Sequence, residues 1–212
     1  NIARNNGIVG AGGAGFPAYA KMTEKADTVI LNCVECEPLL KLHRQLLATH
    51  TEEIIQMLDE VRESFGAKEA VIGIKSEYVT TIKAIEEVIG DFPNVRICAL
   101  KAAYPMGDEV VLIYEATGRV IKPGGLPIDE NVVVYNVETM YNLYRAVHLN
   151  IPVTNKLVSI VGEIDHPLTV RVPLGTTVKE AISLAGKITV EDPAYVMGGP
   201  MMGRLGTENT VI

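Results

Sequence analysis

The chain has 212 residues, of which 48% are hydrophobic, with a formal net charge of -7 and a pI near 5.2. An acidic chain with no basic stripe cannot neutralise a phosphate backbone, which excludes a general nucleic-acid role. No apolar run approaches the ~20 residues of a membrane helix and no signal-peptide pattern opens the chain, so direct membrane insertion is excluded and a cytoplasmic location is expected.

The length suits one domain of ordinary size with a small companion. The chain begins at Asn1 without a methionine and stops at Ile212 with no closing signal, as an excised piece of a longer protein would. Its first distinctive stretch, Gly7 to Pro17, places five glycines in nine residues. Such a loop has few Cβ atoms, so its N–H groups can turn toward one point and lie against a flat or charged ligand; an ordinary tight turn is the other reading. No Gly-Lys-Ser/Thr follows, and no clean strand precedes, so neither the phosphate loop nor the dinucleotide fingerprint is present.

Strand and helix then alternate. Asp27 to Cys33 is a β-rich apolar run ending near the polar Asn32 and Glu35, as expected where a buried parallel strand delivers residues to a crevice. Thr49-His50-Thr51-Glu52 has the form of a capping box, opening a helix with Ile54, Leu58, Val61 and Phe65 inward and Gly66 as its stop. Lys68 to Ile74 is a strand. Tyr78, Ile82, Ile85 and Ile89 stripe a helix closed by Gly90, and Asn94 to Leu100 is the third strand. Tyr104 to Glu109 follows it directly and leads into an apolar helix from Val110 to Tyr114, which puts Asp108 and Glu109 at a helix N-terminus, where carboxylates suit the macrodipole. Val132 to Tyr135 is a fourth strand. It runs through Asn136 into a helix from Glu138 to Val147, with Met140, Leu143, Tyr144 and Val147 inward; Asn136 and Thr139 stand at that corner, where a plain N-cap is one reading. The alternation predicts a parallel sheet with helices on its faces.

The pattern changes after Pro152. Lys156 to Gly162 is a strand, Asp165-His166-Pro167 a turn, Leu168 to Val172 a strand, Thr176 to Ala185 a short helix and Ala194 to Met197 a further strand. That order predicts a β-grasp unit over residues 154–212, after an α/β domain over residues 1–150. The three cysteines form no disulfide framework: Cys33 and Cys36 make a C-x-x-C that a redox pair or half of a metal site would show, but it is too poor in thiolates for a zinc or iron-sulfur centre and reads as structural, and Cys98 reads as core. The four histidines have no metal or triad spacing and read as incidental. No metal site is expected.

Four ordered motifs carry a resemblance. Gly10 to Pro17 with Lys21, then Asn32-Cys33-Val34-Glu35-Cys36-Glu37-Pro38, then Tyr104-Pro105-Met106-Gly107-Asp108-Glu109, then Asn136-Val137-Glu138-Thr139, resemble the flavin-binding core of the NADH-oxidising subunit of respiratory complex I. The Glu-Cys-Glu-Pro and Tyr-Pro-x-Gly-Asp-Glu forms resemble still more the C subunit of the Rnf electron-transport complex and its relatives, including cobalamin reductases. The closing Gly-Gly-Pro-Met-Met-Gly, from Gly198 to Gly203, resembles the small β-grasp (SLBB-type) domain that follows the flavin domain in these proteins.

The resemblance implies a Rossmann-like α/β domain that binds FMN, takes electrons from NADH and passes them to partner proteins or iron-sulfur clusters, as an NADH-dependent flavin oxidoreductase subunit. Such clusters would lie in a segment downstream of this chain, and any membrane association would be peripheral, through partners. It implies as cofactor-binding residues Gly10, Gly12, Gly13, Gly15, Phe16, Lys21, Asn32, Glu35, Glu37, Tyr104, Gly107, Asp108, Glu109, Asn136 and Thr139. Within that set the glycines hug the flavin or its phosphate, Lys21 neutralises phosphate charge, Asn32 and Asn136 bond ribityl or phosphate oxygens, and Glu37 and Glu109 face the nicotinamide. Two positions depart from the complex I pattern, Val34 where an acid is expected and Met22 where an aromatic is expected. Two other readings stay open: an assembly platform that keeps the fold without flavin, and a direct NADH-dependent reductase of a small molecule.

Overall fold

Apolar, β-branched runs become strands where helices cover both faces. In the computed structural model, which describes residues 2–12, 15–22 and 25–212, the strands β1 (Thr28–Cys33), β2 (Glu69–Lys75), β3 (Val95–Leu100) and β4 (Val132–Asn136) form a parallel sheet in the order β3-β2-β1-β4. The predicted parallel α/β architecture is therefore the observed one. β1 lies between β2 and β4, and every β1 residue except Asn32 is buried.

Helix α5 (Glu109–Thr117) covers one face, setting Leu112, Ile113 and Ala116 against Ile30, Val71, Leu100, Val132 and Val134. Its approach depends on Gly73 of β2, since a Cβ there would lie 2.5 Å from Leu112 Cδ1. Helices α3 (Thr51–Phe65) and α6 (Val137–His148) pack on each other and on β1, burying Ile54, Ile55, Leu58, Met140 and Leu143. Helix α4 (Val79–Val88) packs against α3 and buries Ile85. A short helix α1 (Ile2–Asn5) contacts α6.

Four expectations are corrected. Helix α2 (Leu42–Thr49) occupies a stretch with no predicted helix, and α3 starts immediately behind it. Thr49 consequently caps nothing; its hydroxyl reaches back to the Gln45 and Leu46 carbonyls at 2.9 and 3.2 Å, while His50 is the N-cap of α3 without a side-chain cap. Val147 is exposed, because the inward stripe of α6 ends at Ala146. Cys98 is only half-buried, because β3 is the edge strand of the sheet.

The contacts divide the chain into two units, residues 1–36 with 43–153, and residues 37–42 with 154–212. In the second unit β5 (Asn155–Ile160) and β6 (Leu168–Pro173) pair antiparallel, as do β7 (Tyr195–Met197) and β8 (Arg204–Gly206). Helix α7 (Val178–Ser183) opens on a true capping box. Thr177 Oγ1 accepts the Glu180 amide at 3.3 Å, and Glu180 accepts the Thr177 amide at 2.8 Å. Among the described residues no helix is long and apolar enough to cross a membrane.

Candidate functional site at the strand-end crevice

Going outward from β1, the chain adds β2 and β3 on one side and only later places β4 on the other. The order therefore reverses between β1 and β4, which is where open α/β sheets leave a ligand crevice at their carboxyl ends. Asn32 and Asn136 end up there as register partners.

The glycine loop is pinned to this point. The Gly10 amide donates to the Phe16 carbonyl at 2.8 Å, closing the loop at its base, and Val9 bridges Pro17. The Ala11 amide donates to Thr139 Oγ1 at 3.0 Å, and the Gly12 amide to Asn136 Oδ1 at 3.3 Å. Thr139, itself buried, donates its hydroxyl proton to the same Asn136 Oδ1 at 2.7 Å. A Cβ on Gly12 would fall 2.6 Å from Asn136 Nδ2 and 2.9 Å from His43 Cε1, so any other residue would have to push those two side-chain ends aside. Gly15 has φ +70°, a conformation that side chains with a Cβ rarely adopt. Gly10 has no such need, because a Cβ there would make ordinary contacts. Phe16 is exposed, and Gly13 lies outside the described residues.

A second turn closes the crevice. Asp108 is the N-cap of α5, accepting the Val110 and Val111 amides at 3.0 and 3.3 Å. Glu109 starts the helix, and Lys21 Nζ lies 3.5 Å from its Oε1 and 3.1 Å from the Val134 carbonyl. Lys21 thus brings a positive charge against β4 at Val134, half-shielded by a carboxylate. Asn32 Nδ2 donates to the Gly107 carbonyl at 3.0 Å while its Oδ1 accepts the Val34 amide at 2.9 Å. An amide side chain has two donors and two lone pairs, so each end of Asn32 retains capacity for a further partner. Tyr104 stands exposed at the start of this turn.

Glu35 is buried behind the crevice. Its Oε1 accepts the His43 amide at 2.9 Å, at the start of α2, while Oε2 faces Arg44 Nε at 3.7 Å, an ion pair longer than a hydrogen bond. Burial pushes its carboxyl above the ordinary value, against the pull of the His43 amide and of Arg44. The Arg44 guanidinium lies 4.4 Å over the Tyr78 ring, and burial, reinforced by Glu35, raises that phenol to about 12. Cys33 is fully buried with its thiol pushed well up by burial. Glu37 belongs to the second unit, where its carboxylate accepts the Met201 and Met202 amides at 2.9 and 2.8 Å.

Within the first unit the fold therefore assembles Gly10, Gly12, Gly15, Phe16, Lys21, Asn32, Gly107, Asp108, Glu109, Asn136 and Thr139 around one end of the sheet, with Glu35 beneath and Tyr104 at the entrance to the Gly107 turn. Sequence reasoning missed two participants. His43 reads as incidental, yet its ring abuts Gly12. Cys36 reads as structural, yet its sulfur accepts the Gly107 amide at 3.1 Å; its place inside Glu-Cys-Glu-Pro was the available signal.

The arrangement is that of a Rossmann-like α/β domain with its crevice at the topological switch point, joined to a small β-rich unit. The chain belongs to the family of the Nuo51 FMN-binding domain, whose model matches residues 3–145, and an SLBB domain model matches residues 157–205. Over 204 residues the chain is 42% identical to cobalamin reductase PduS of Citrobacter freundii, covering 96% of this chain and 45% of that protein. It is 33% identical to the C subunit of the Na(+)-translocating ferredoxin:NAD(+) oxidoreductase complex of Acetobacterium woodii, covering 94% and 46%. The chain thus spans a little under half the length of these curated relatives. Crystal structures of an NAD+-reducing [NiFe]-hydrogenase, in the H2-reduced and air-oxidized states, match with TM-scores of 0.74 and 0.76 at 22% and 23% identity. Each match covers 92% of this chain and 39% of the other, and these likenesses speak for the fold alone.

Proposed function

We propose that the chain is the flavin module of an electron-transfer oxidoreductase, binding FMN at the β1–β4 crevice, receiving electrons from NADH and delivering them to iron-sulfur centres outside the residues described or to partner proteins. The observation that carries this reading is the Gly12 cradle. A glycine-rich loop pinned through its Gly10, Ala11 and Gly12 amides, in which a Cβ on Gly12 would meet the side-chain ends of Asn136 and His43, is held at the strand-order reversal. The residues present fit FMN: a glycine-rich loop for a flat ring or phosphate, a lysine against β4 for negative charge, and two strand-end asparagines for polyol oxygens.

When bound, FMN supplies the exchange between two-electron and one-electron transfer that no side chain provides. The protein's part is binding and electrostatics. Gly12, Gly15 and the Ala11 peptide line the cradle while Asn136 and Thr139 keep it in shape. Lys21 neutralises phosphate, and its pairing with Glu109 lets that carboxylate stand at the nicotinamide side without an uncompensated charge. Asn32 offers its remaining donor and acceptor to the ligand, and the exposed Tyr104 and Phe16 offer ring faces. Glu37, bound to two backbone amides, leaves the nicotinamide contact to Glu109.

Titration with FMN and with riboflavin, read by thermal unfolding, tests the reading. At about a hundred times the dissociation constant, linkage gives roughly 2.7 kcal/mol, a rise of about 5 to 10 °C for a chain of this size. Absence of a shift with either ligand overturns flavin binding, and equal shifts remove Lys21 from a phosphate role.

Electron supply by a partner protein in place of NADH is the second reading, favoured by Val34. That side chain is buried in the apolar cluster under α5 at a position where the complex I pattern carries an acid. Anaerobic mixing of the FMN-loaded chain with NADH separates the two: bleaching supports NADH, and a flavin that stays oxidised supports the partner.

A further inference from the structure

Both backbone polar groups of Gly107 are held by the end of β1 and the segment that continues it. Its carbonyl accepts Asn32 Nδ2 at 3.0 Å, and its amide donates to Cys36 Sγ at 3.1 Å. Asn32 is itself fixed by the Val34 amide. The fit leaves no slack, because a Cβ on Gly107 would collide with the Val34 carbonyl oxygen and lie 2.8 Å from Cys36 Sγ. Gly107 is also followed at once by the N-cap of α5 and by Glu109, whose carboxylate meets Lys21. Wherever Gly107 is set, the helix start and the Lys21–Glu109 pair are set too.

We propose that Cys36 is a positioning residue of the flavin site: its sulfur, acting with Asn32, clamps the Gly107 peptide and so fixes the turn from Tyr104 to Glu109 against the end of β1. Cys36 touches no reacting atom. A thiol is a weak acceptor, so its contribution lies in geometry: it meets the Gly107 amide at 3.1 Å, and the close Val34 backbone prevents the turn from sliding to another partner. The flavin half of this inference rests on the function proposed above, whereas the clamp itself does not.

The test uses the full chain and three proteins: wild type, Cys36→Ala, which removes the acceptor, and Cys36→Ser, which restores one of shorter reach. Amide hydrogen exchange at Gly107 reads the clamp, FMN affinity and the flavin midpoint potential read the site, and the melting temperature of the FMN-free chain reads general stability. Cys36→Ala is expected to speed Gly107 exchange and weaken FMN binding by roughly threefold to tenfold, the scale of one neutral hydrogen bond, with a shifted midpoint potential and little change in melting temperature. Cys36→Ser is expected to recover most of both effects. Unchanged Gly107 exchange in Cys36→Ala overturns the clamp. Faster exchange with unchanged FMN affinity and potential overturns the positioning role, as does a loss of affinity that only follows a lowered melting temperature and is not recovered by serine. A wild type that binds no FMN defeats the flavin reading, and Gly107 exchange then decides the clamp alone.

Discussion

Asn32 and Asn136 are register partners at the carboxyl ends of adjacent parallel strands, yet their side chains serve different segments. Asn32 grips the Gly107 turn, and Asn136 grips the glycine loop at Gly12. Gly12 and Gly107, more than ninety residues apart in sequence, are therefore tied to one rung of the sheet.

Replacing Gly12 by valine should abolish FMN binding. The new Cβ would fall 2.6 Å from Asn136 Nδ2 and 2.9 Å from His43 Cε1. Overpacking of this kind typically costs about 1 to 3 kcal/mol, and here it would displace the cradle. The check is FMN titration by fluorescence alongside circular dichroism; a variant that keeps both its fold and wild-type FMN affinity would show that the loop is only a turn.

Glu109→Ala should retain FMN but slow its anaerobic reduction by NADH. Losing one charged hydrogen-bonding contact costs about 1.5 to 3 kcal/mol, or roughly tenfold to a hundredfold at subsaturating NADH. Stopped-flow bleaching gives the comparison. Equal rates in variant and wild type would take Glu109 out of the nicotinamide site. The exposed Lys21–Glu109 pair contributes little to folding, so the melting temperature should hardly move.

Glu35 predicts a pH dependence of stability. Burial holds its folded carboxyl above the ordinary value of 4.5, so over a window beginning there the folded chain binds a proton that the unfolded chain has released. Stability should therefore fall as pH rises through that window and level off above the folded value. Glu35→Gln lacks this dependence. Urea unfolding of both proteins from about pH 4 to 8, a range spanning the ordinary carboxyl value, should show the wild type losing ground to the variant with rising pH. A difference that is flat or runs the other way would show that Arg44 fully offsets the burial.

Gly73 and Leu112 should couple. Leu112→Ala empties a fully buried position and should cost about 2 to 5 kcal/mol. Gly73→Ala inserts a methyl 2.5 Å from Leu112 Cδ1 and should cost about 1 to 3 kcal/mol. In the double variant the methyl enters the space that Leu112 vacates, so the combined cost should be less than the sum, as equilibrium unfolding would reveal. Strict additivity would mean that α5 moves away as a body.

The sheet was legible because a parallel strand covered on both faces has to be an unbroken apolar run, and β1, β2 and β4 are such runs. The candidate site was legible through glycine, since a Cβ on Gly107 would meet the Val34 backbone and one on Gly12 the side-chain ends of Asn136 and His43. What escaped was set by tertiary contact. Helix α2 is eight residues long with only Leu46 and Leu47 buried, too short to show a period. The Thr49-x-x-Glu52 pattern looks like a helix start until a preceding helix offers Thr49 better acceptors in its own carbonyls. Cys36 carries no sign in its spacing that a glycine 71 residues later will donate to it.

The brief return of residues 37–42 into the second unit bears on modularity. Glu37 ends in a loop where two amides converge on its carboxylate and where a Cβ on Gly199 would strike it. A segment cut at residue 154 would inherit that loop without the acid that fills it. The β-rich unit is thus not a bead on a string that could be transplanted by one cut at its visible border: its sequence is stored in two places, and insertion or recombination between them must carry both halves or lose the loop.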